Sequence, residues 1–242
     1  SELIDPLTGQ VRAGVTRKYN PEDWEDYGFQ TSYRQEANLR FSGGNEKTRY
    51  FSSIGYLDDQ GYVINTDFKR YTTRLNLNHE IRDWLKGGAS MGYTVSRTND
   101  PGQTSDSNSV FWFVDNIPSI YPLFLRDANG DKVEDPFFGG NQYDYGTDAN
   151  GLASRGFGGL TNSIADATYN KSRTDEHNLI GQFSLEAKLN KNFSLESRFG
   201  LNYSDREFND RKNPFYGSGA AASTKGSLFK RQTRFLSQNF LQ

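Results

Sequence analysis

The chain has no cysteine, which excludes disulfide staples and thiolate metal sites while leaving the compartment open. Histidine is nearly missing as well: His79 and His177 are the two in 242 residues, and they lack the H-E-x-x-H spacing of a zinc hydrolase. Long hydrophobic runs are absent. No stretch approaches the roughly 18 apolar residues of a membrane-spanning helix, and mean hydropathy is −0.82. That excludes helical membrane proteins but not β-barrels, whose strands carry apolar residues only at alternate positions. Charge of one sign is lacking too. With 28 basic and 30 acidic side chains the net charge is −2, so there is no basic footprint for nucleic acid. No start Met, signal peptide or lipidation motif precedes Ser1, and "RFLSQNFLQ" stops within a strand-like run. Both ends read as cuts in a longer polypeptide.

What the chain does have is aromatic residues, 14 Tyr and 18 Phe, which a disordered chain would lack. It also has alternation. Residues 1–31 carry Pro6, Gly9, Gly14 and Pro21 and read as an irregular lead-in. From Ser32 polar and apolar residues alternate over 32–42, 48–58, 68–78, 84–96, 176–189, 193–204 and 227–242. These predict seven antiparallel strands of about 10–15 residues, longer than the usual ~5–6 of globular sheets. Strands 1–4 fall in 32–96 as two hairpins, and strands 5–7 in 176–242. The connections, 43–47, 59–67, 79–83, 97–175, 190–192 and 205–226, are alternately short and long. Outer-membrane barrels sort their loops this way, with short periplasmic turns and long extracellular loops. The fold class expected is therefore all-β, a partial transmembrane barrel with long extracellular loops.

That reading assigns faces. Leu75, Leu77, Leu85, Ala89, Met91 and Val95 would face lipid. Arg34, Glu36, Arg40, Arg70, Arg74, Asn76, Lys86, Ser90, Glu186, Glu196 and Arg198 would face a watery lumen. Tyr33, Tyr71, Tyr93 and Tyr203 would belong to an aromatic girdle at the membrane boundary.

Sequence motifs for chemistry are weak. "GASMG" (88–92) matches G-x-S-x-G, but Ser90 lies mid-strand with no helix behind it, so it lacks the nucleophile-elbow context. Both histidines read as solvated surface residues, His79 in a turn and His177 at a strand start. "DANGDKVED" (127–135) opens like a calcium loop, yet Lys132 replaces the required Gly and Phe138 stands where a bidentate carboxylate is needed; Asn129-Gly130 reads instead as a turn. "RGFGGL" (155–160) lacks the strand–helix setting of a phosphate loop. No catalytic, cofactor or metal residue is assigned.

Residues 97–175 hold more interest, because a loop of this size is usually functional or disordered. Val110, Phe113, Val114 and Ile117 share one helical face, with Ser107 or Asn108 as N-cap, and predict one short helix ended by Pro118. Aromatics gather nearby. Phe111, Trp112, Tyr121, Phe137, Phe138, Tyr143 and Tyr145 are the candidates for touching a substrate or a lid protein, since aromatic faces stack on sugar rings. Packing the loop onto itself is the competing reading.

Particular stretches also resemble a known family. The "SGG" hairpin before a Tyr-Phe strand, the "GYLDDQG" strand end, the "FKRY" strand start and the "DWLK" turn, all within residues 37–94, with "NPEDWEDYGFQ" (20–30) upstream, resemble the early barrel region of SusC/RagA-like TonB-dependent transporters of Bacteroidetes outer membranes. The resemblance implies a plugged barrel of about 22 strands in the outer membrane of a Gram-negative bacterium. It also implies a SusD-like lipoprotein lid, import of oligosaccharides or peptides driven by TonB, and no enzymatic step. A plug and TonB box are not found in these residues, and seven strands leave two open edges that lipid cannot satisfy. The remaining strands and plug of the same barrel are thus expected partners. The alternative is a soluble or surface-anchored carbohydrate-binding β-domain; a glycosidase would need paired carboxylates that the sequence does not reveal.

Overall fold

The computed structural model describes residues 3–101, 109–147, 154–217, 220 and 225–241. Seven strands form one antiparallel meander: β1 (Tyr33–Gly44), β2 (Thr48–Gln60), β3 (Asp67–Arg82), β4 (Leu85–Asn99), β5 (Lys171–Lys188), β6 (Ser194–Arg211) and β7 (Lys225–Leu241). Sequence neighbours pair throughout, and neither β1 nor β7 has a second partner strand among the described residues. The all-β antiparallel class expected from the alternation is what the sheet shows.

Local chemistry explains the tight ends. In the first hairpin Asn45 Oδ1 accepts from the backbone N–H groups of Lys47 and Thr48 at 2.9 and 2.8 Å. Asn190 Oδ1 does the same for Asn192 and Phe193 at 2.8 and 3.0 Å. These Asx turns close a hairpin within a few residues. The third tight turn lies at 83–84, next to a register shift between Glu80 and Arg82. The longer connections, 61–66, 100–170 and 212–224, all leave the opposite end.

Register assigns the faces. Along one row Ile54 lies opposite Thr73, Thr73 opposite Tyr93, Tyr93 opposite Leu179, and Leu179 opposite Tyr203. The adjacent rows of that face carry Leu75 with Met91 and Leu77 with Ala89. These side chains are exposed: Leu75 is 42 %, Ile54 53 % and Phe199 42 % accessible. Tyr56 and Tyr71 (ring centroids 5.0 Å apart) begin the rim toward the long loops, and Tyr93 is hydrogen-bonded to His177 Nδ1 at 2.8 Å. At the other rim the turn residues Trp84 and Phe193 stand exposed. The Leu85–Val95 stretch rises about 3.3 Å per residue, which at barrel tilt gives an apolar band about 25 Å tall. The reverse face carries Arg34, Glu36, Arg40, Arg70, Arg74, Glu186, Glu196 and Arg198 in one register set.

Four sequence expectations are corrected. The long connection is 100–170 rather than 97–175, because pairing continues through Asn99 and Arg173 after the apolar alternation has ended. Backbone ladders need no apolar side chain, and here Asp175 bonds Arg97 (2.7 Å) and Arg173 (2.6 Å) instead. For the same reason His79 lies within β3, opposite Gly87, and His177 within β5. Among its described residues the connection also holds two helices: α2 (Val110–Asn116) and the unanticipated α3 (Ser163–Tyr169); a short helix, α1 (Glu25–Gly28), interrupts the lead-in. The N-cap of α2 is Ser109, whose side chain accepts from Trp112 N. Ser107 and Asn108 lie outside the described residues.

Apart from Leu57 on β2, the buried hydrophobic residues are not in the sheet. The core lies among the long connections, where Trp24, Val63, Val110, Phe113, Val114, Ile117, Leu123, Phe124, Ile164 and Ala167 pack together. We call this body the crown. Gly28 lets α1 approach: a Cβ there would stand 3.0 Å from Val110 Cγ1 and 3.3 Å from Val114 Cγ2, tighter than packed side chains accept without shifting.

Candidate functional site

The crown is tied by buried polar hubs. Asn162 is fully buried. Its amide donates to the carbonyls of Leu123 (3.3 Å) and Asp144 (2.9 Å), while its oxygen caps α3 through Ala165 N at 3.0 Å. Arg155 donates to the carbonyls of Phe157 (2.7 Å) and Gly158 (2.8 Å) and to that of Thr161. Its guanidinium lies 5.6 Å from the Phe113 ring centroid, a desolvated cation–π contact. Gly146, at φ 69°, runs so close that a Cβ would stand 2.6 Å from Arg155 Nε. Burial pushes the Arg155 pKa down and that of its neighbour Asp144 up.

Asp135 is the third hub and is 2 % exposed. Its carboxylate accepts from Phe137 N (2.8 Å), Phe138 N (3.0 Å), Tyr169 OH (2.8 Å) and Tyr216 OH (2.8 Å). Burial alone would raise its pKa. The two amides and two phenols outweigh that and hold it below the ordinary carboxylate value, as donors to the charged form do. One carboxylate thereby joins the 135–139 turn, α3 and the connection after β6. Asp166 on α3 shows the opposite balance: burial pushes its pKa up to about 6 against the bond from Tyr145 OH.

These hubs present the aromatic candidates in distinct ways. Phe137 stacks on Phe215 and Phe138 on Tyr169, each pair at 4.1 Å. Phe137 and Phe138 remain 56 % and 46 % exposed. Trp112 stacks on Phe157 at 6.0 Å, and Phe111 meets Phe29 and Tyr62, both at 5.1 Å. Tyr143 is half-buried against Phe124 and Tyr169. The carbonyl of half-buried Tyr121 accepts from Trp24 Nε1 at 3.1 Å. Tyr145 is 5 % exposed and lies against Tyr216. Outward-facing candidates are therefore Phe111, Trp112, Phe137 and Phe138, and sequence reading missed Phe215, which joins them. Its signal lay in "NPFYG" (213–217), where Asn213 Oδ1 makes an Asx turn with the N–H groups of Phe215 and Tyr216.

The residues of the other motifs bond within the sheet and its turns. Ser90 Oγ donates to Asn76 Oδ1 at 2.7 Å within the sheet, and β4 continues past it. His79 Nδ1 lies 2.8 Å from Thr48 Oγ1. Asp127 Oδ1 accepts from the N–H groups of Asn129 and Asp131, both at 2.9 Å, so this carboxylate closes a turn.

No protein-family model matches the chain. It is 21 % identical to TonB-dependent receptor P39 of Formosa agariphila over 203 residues, 84 % of this chain and 17 % of that protein. Over 55 residues, 23 % of the chain and 6 % of the relative, it is 36 % identical to TonB-dependent receptor SusC of Bacteroides thetaiotaomicron. The fold superposes on a structure of the RagAB peptide transporter with a TM-score of 0.63 and 24 % identity, covering 91 % of this chain and 23 % of that one. In sequence and fold the chain is similar to a barrel segment of SusC/RagA-like transporters. Its meander is then a stretch of barrel wall. The chain spans less than a fifth of the length of the first curated relatives it matches, at 17 % and 13 % of them.

Proposed function

We propose that this segment is part of the wall and extracellular crown of a TonB-dependent outer-membrane importer of oligosaccharides or peptides, working with a SusD-like lipoprotein and without covalent chemistry. One observation carries the reading: a sheet with an exposed apolar face, aromatic at both rims, opposite a face rich in Arg, Glu and Asn. A soluble carbohydrate-binding domain would leave that face in water, whereas soluble monomers keep contiguous exposed apolar surface to a few hundred Å2. In lipid it needs no cover. The similar proteins, TonB-dependent receptors and a peptide transporter, support the same reading. The two open edges are satisfied by further strands of the barrel, and the plug and the TonB-contacting region are supplied by residues outside this sequence. Exposed Phe111, Trp112, Phe137 and Phe138 are the surface offered to substrate or lid, with Tyr121, Tyr143 and Tyr145 supporting them from behind.

The test is fractionation of the full-length protein from its native cells. It should appear in the outer membrane, require detergent for extraction and co-purify with a lipoprotein. Recovery as a folded, detergent-free soluble protein would sink the proposal.

A further inference from the structure

On the outward face of the sheet, just beyond the apolar band, stands a charged cluster that the importer reading does not use. Arg97 on β4 lies opposite Asp175 on β5, and Arg173 comes two residues before Asp175 on the same face. One carboxylate holds both guanidinium groups: Asp175 Oδ1 accepts from Arg97 Nε at 2.7 Å, and its Oδ2 from Arg173 Nε at 2.6 Å. Gripped by Nε, each arginine keeps its terminal N–H groups without a hydrogen-bond partner among the described residues. The ion pairs are also ordered in depth. The Asp175 side chain is 15 % exposed, those of Arg97 and Arg173 50 % and 44 %. Lys69, opposite Arg97 on β3, repeats this order over its covered partner Asp58, 3.4 Å away. Glu207, opposite Asp175 on β6, accepts from Asn209 Nδ2 instead. The row has no net positive charge; what it has is cations outermost and carboxylates beneath. Val95 ends the apolar band, and Arg97 stands two residues, about 7 Å, further along β4. The head-group layer is about 5–8 Å deep on each side of the hydrocarbon, so the cluster stands at its level.

We propose that Arg97 and Arg173 form a docking site for the phosphate of an outer-leaflet lipid head group. The site rests on the importer reading, which puts this face of the wall in a membrane. A guanidinium meets phosphate through two parallel N–H groups in a planar fork. Here Asp175 fixes both side chains through Nε and leaves both forks free, so little side-chain freedom is lost when an anion arrives. Because one carboxylate ties them, the two forks are neighbours and can share the oxygens of one phosphate. An anion approaching from outside meets the cations first, and a cationic head group would meet the wrong charge. The occupant is a lipid because exposed Met91 and Tyr93 lie directly below on β4, where acyl chains attached to that phosphate would run.

Native mass spectrometry of the delipidated full-length receptor in detergent tests the site with two probes, bisphosphorylated lipid A and the same lipid A with its phosphates removed. The phosphorylated form should bind at least fivefold more tightly, and low millimolar inorganic phosphate should not displace it. Arg97→Gln combined with Arg173→Gln should remove most of that preference. Because this variant leaves Asp175 without its partners, Arg97→Lys combined with Arg173→Lys serves as a second. It keeps cations beside Asp175 but lacks the forks, and should weaken binding of the phosphorylated lipid at least threefold. Arg74→Gln, on the reverse face, should leave the preference unchanged. Equal binding of the two lipids, displacement by inorganic phosphate, an unchanged preference in both double variants, or an equal loss in Arg74→Gln would overturn the site. A receptor without phosphate preference that still sits in the outer membrane and imports its cargo leaves the importer reading standing.

Discussion

The crown and the wall are built from one chain by opposite rules. In the crown, apolar side chains turn inward: Val110, Leu123 and Ile164 are fully buried, and polar hubs such as Asn162 and Asp135 have bonds to match their burial. In the wall, one face carries apolar residues such as Ile54, Leu75, Met91 and Phe199 exposed, and no second sheet covers them among the described residues. The crown is therefore organised by water and held by the hydrophobic effect. The wall is organised by backbone pairing, with its apolar face left for another solvent. The same Leu or Phe is a core residue on one side of the Tyr56–Tyr71 rim and a surface residue on the other.

Substitutions can separate the two regimes. The largest effect is expected from Phe113→Ala, which empties the centre of the crown at a cost of about 3–5 kcal/mol. Limited proteolysis of the full-length protein should then cut within 100–170 while the strands stay protected. Loss of the strands together with the crown would show that the two are one cooperative unit.

Next comes Leu75→Arg on the apolar face, expected to cost about 2–4 kcal/mol if that face meets the bilayer midplane. The neighbouring Asn76→Arg, on the reverse face, should be tolerated. Heat-modifiable mobility of the assembled barrel measures both, and equal tolerance at the two positions would contradict the assignment of faces.

A smaller effect concerns pH and should be confined to the crown. Burial raises the Asp166 pKa from 3.8 to about 6, so between those values the folded crown holds a proton that the unfolded chain releases. Its stabilising contribution is full below about pH 4 and is lost as pH rises through about 6. Between pH 5 and pH 7.5 this amounts to about 1 kcal/mol. Protease protection of 100–170 should be greater at pH 5, and Asp166→Asn should flatten most of the difference. Asp144, also pushed up by burial, leaves a remainder of the same sign.

The smallest stability change is expected from Phe137→Ala, whose side chain is more than half exposed. Crown protection should change by less than about 1 kcal/mol, while uptake or lid binding by the full-length receptor falls. Unchanged uptake with a loosened crown would mean that the stack on Phe215 is packing alone.

How much of this could be read beforehand follows the same division. The wall was legible because its signal is local: a period of two fixes which residues share a face, and Asn45 and Asn190 close turns with their own neighbours. The crown was legible only in pieces. α2 announced itself through Val110, Phe113 and Val114. α3, "SIADATY", has too few large apolar residues for its period to stand out, and its Asn162 cap is recognisable only beside the carbonyls of Leu123 and Asp144 that bury it. Tyr143 and Tyr145 look alike in sequence, yet Tyr145 is sealed under Tyr216 from a connection some 70 residues on.

By itself, then, the sequence determined the strands, the order of the loops and the face each wall residue occupies, because alternation and turn chemistry act over a few residues. Only the tertiary structure decided what the crown is: which aromatics remain at its surface, and that Glu22 meets Arg126 across 104 positions. Those outcomes depend on segments far apart in the chain competing for the same buried space, and no local pattern records who wins it.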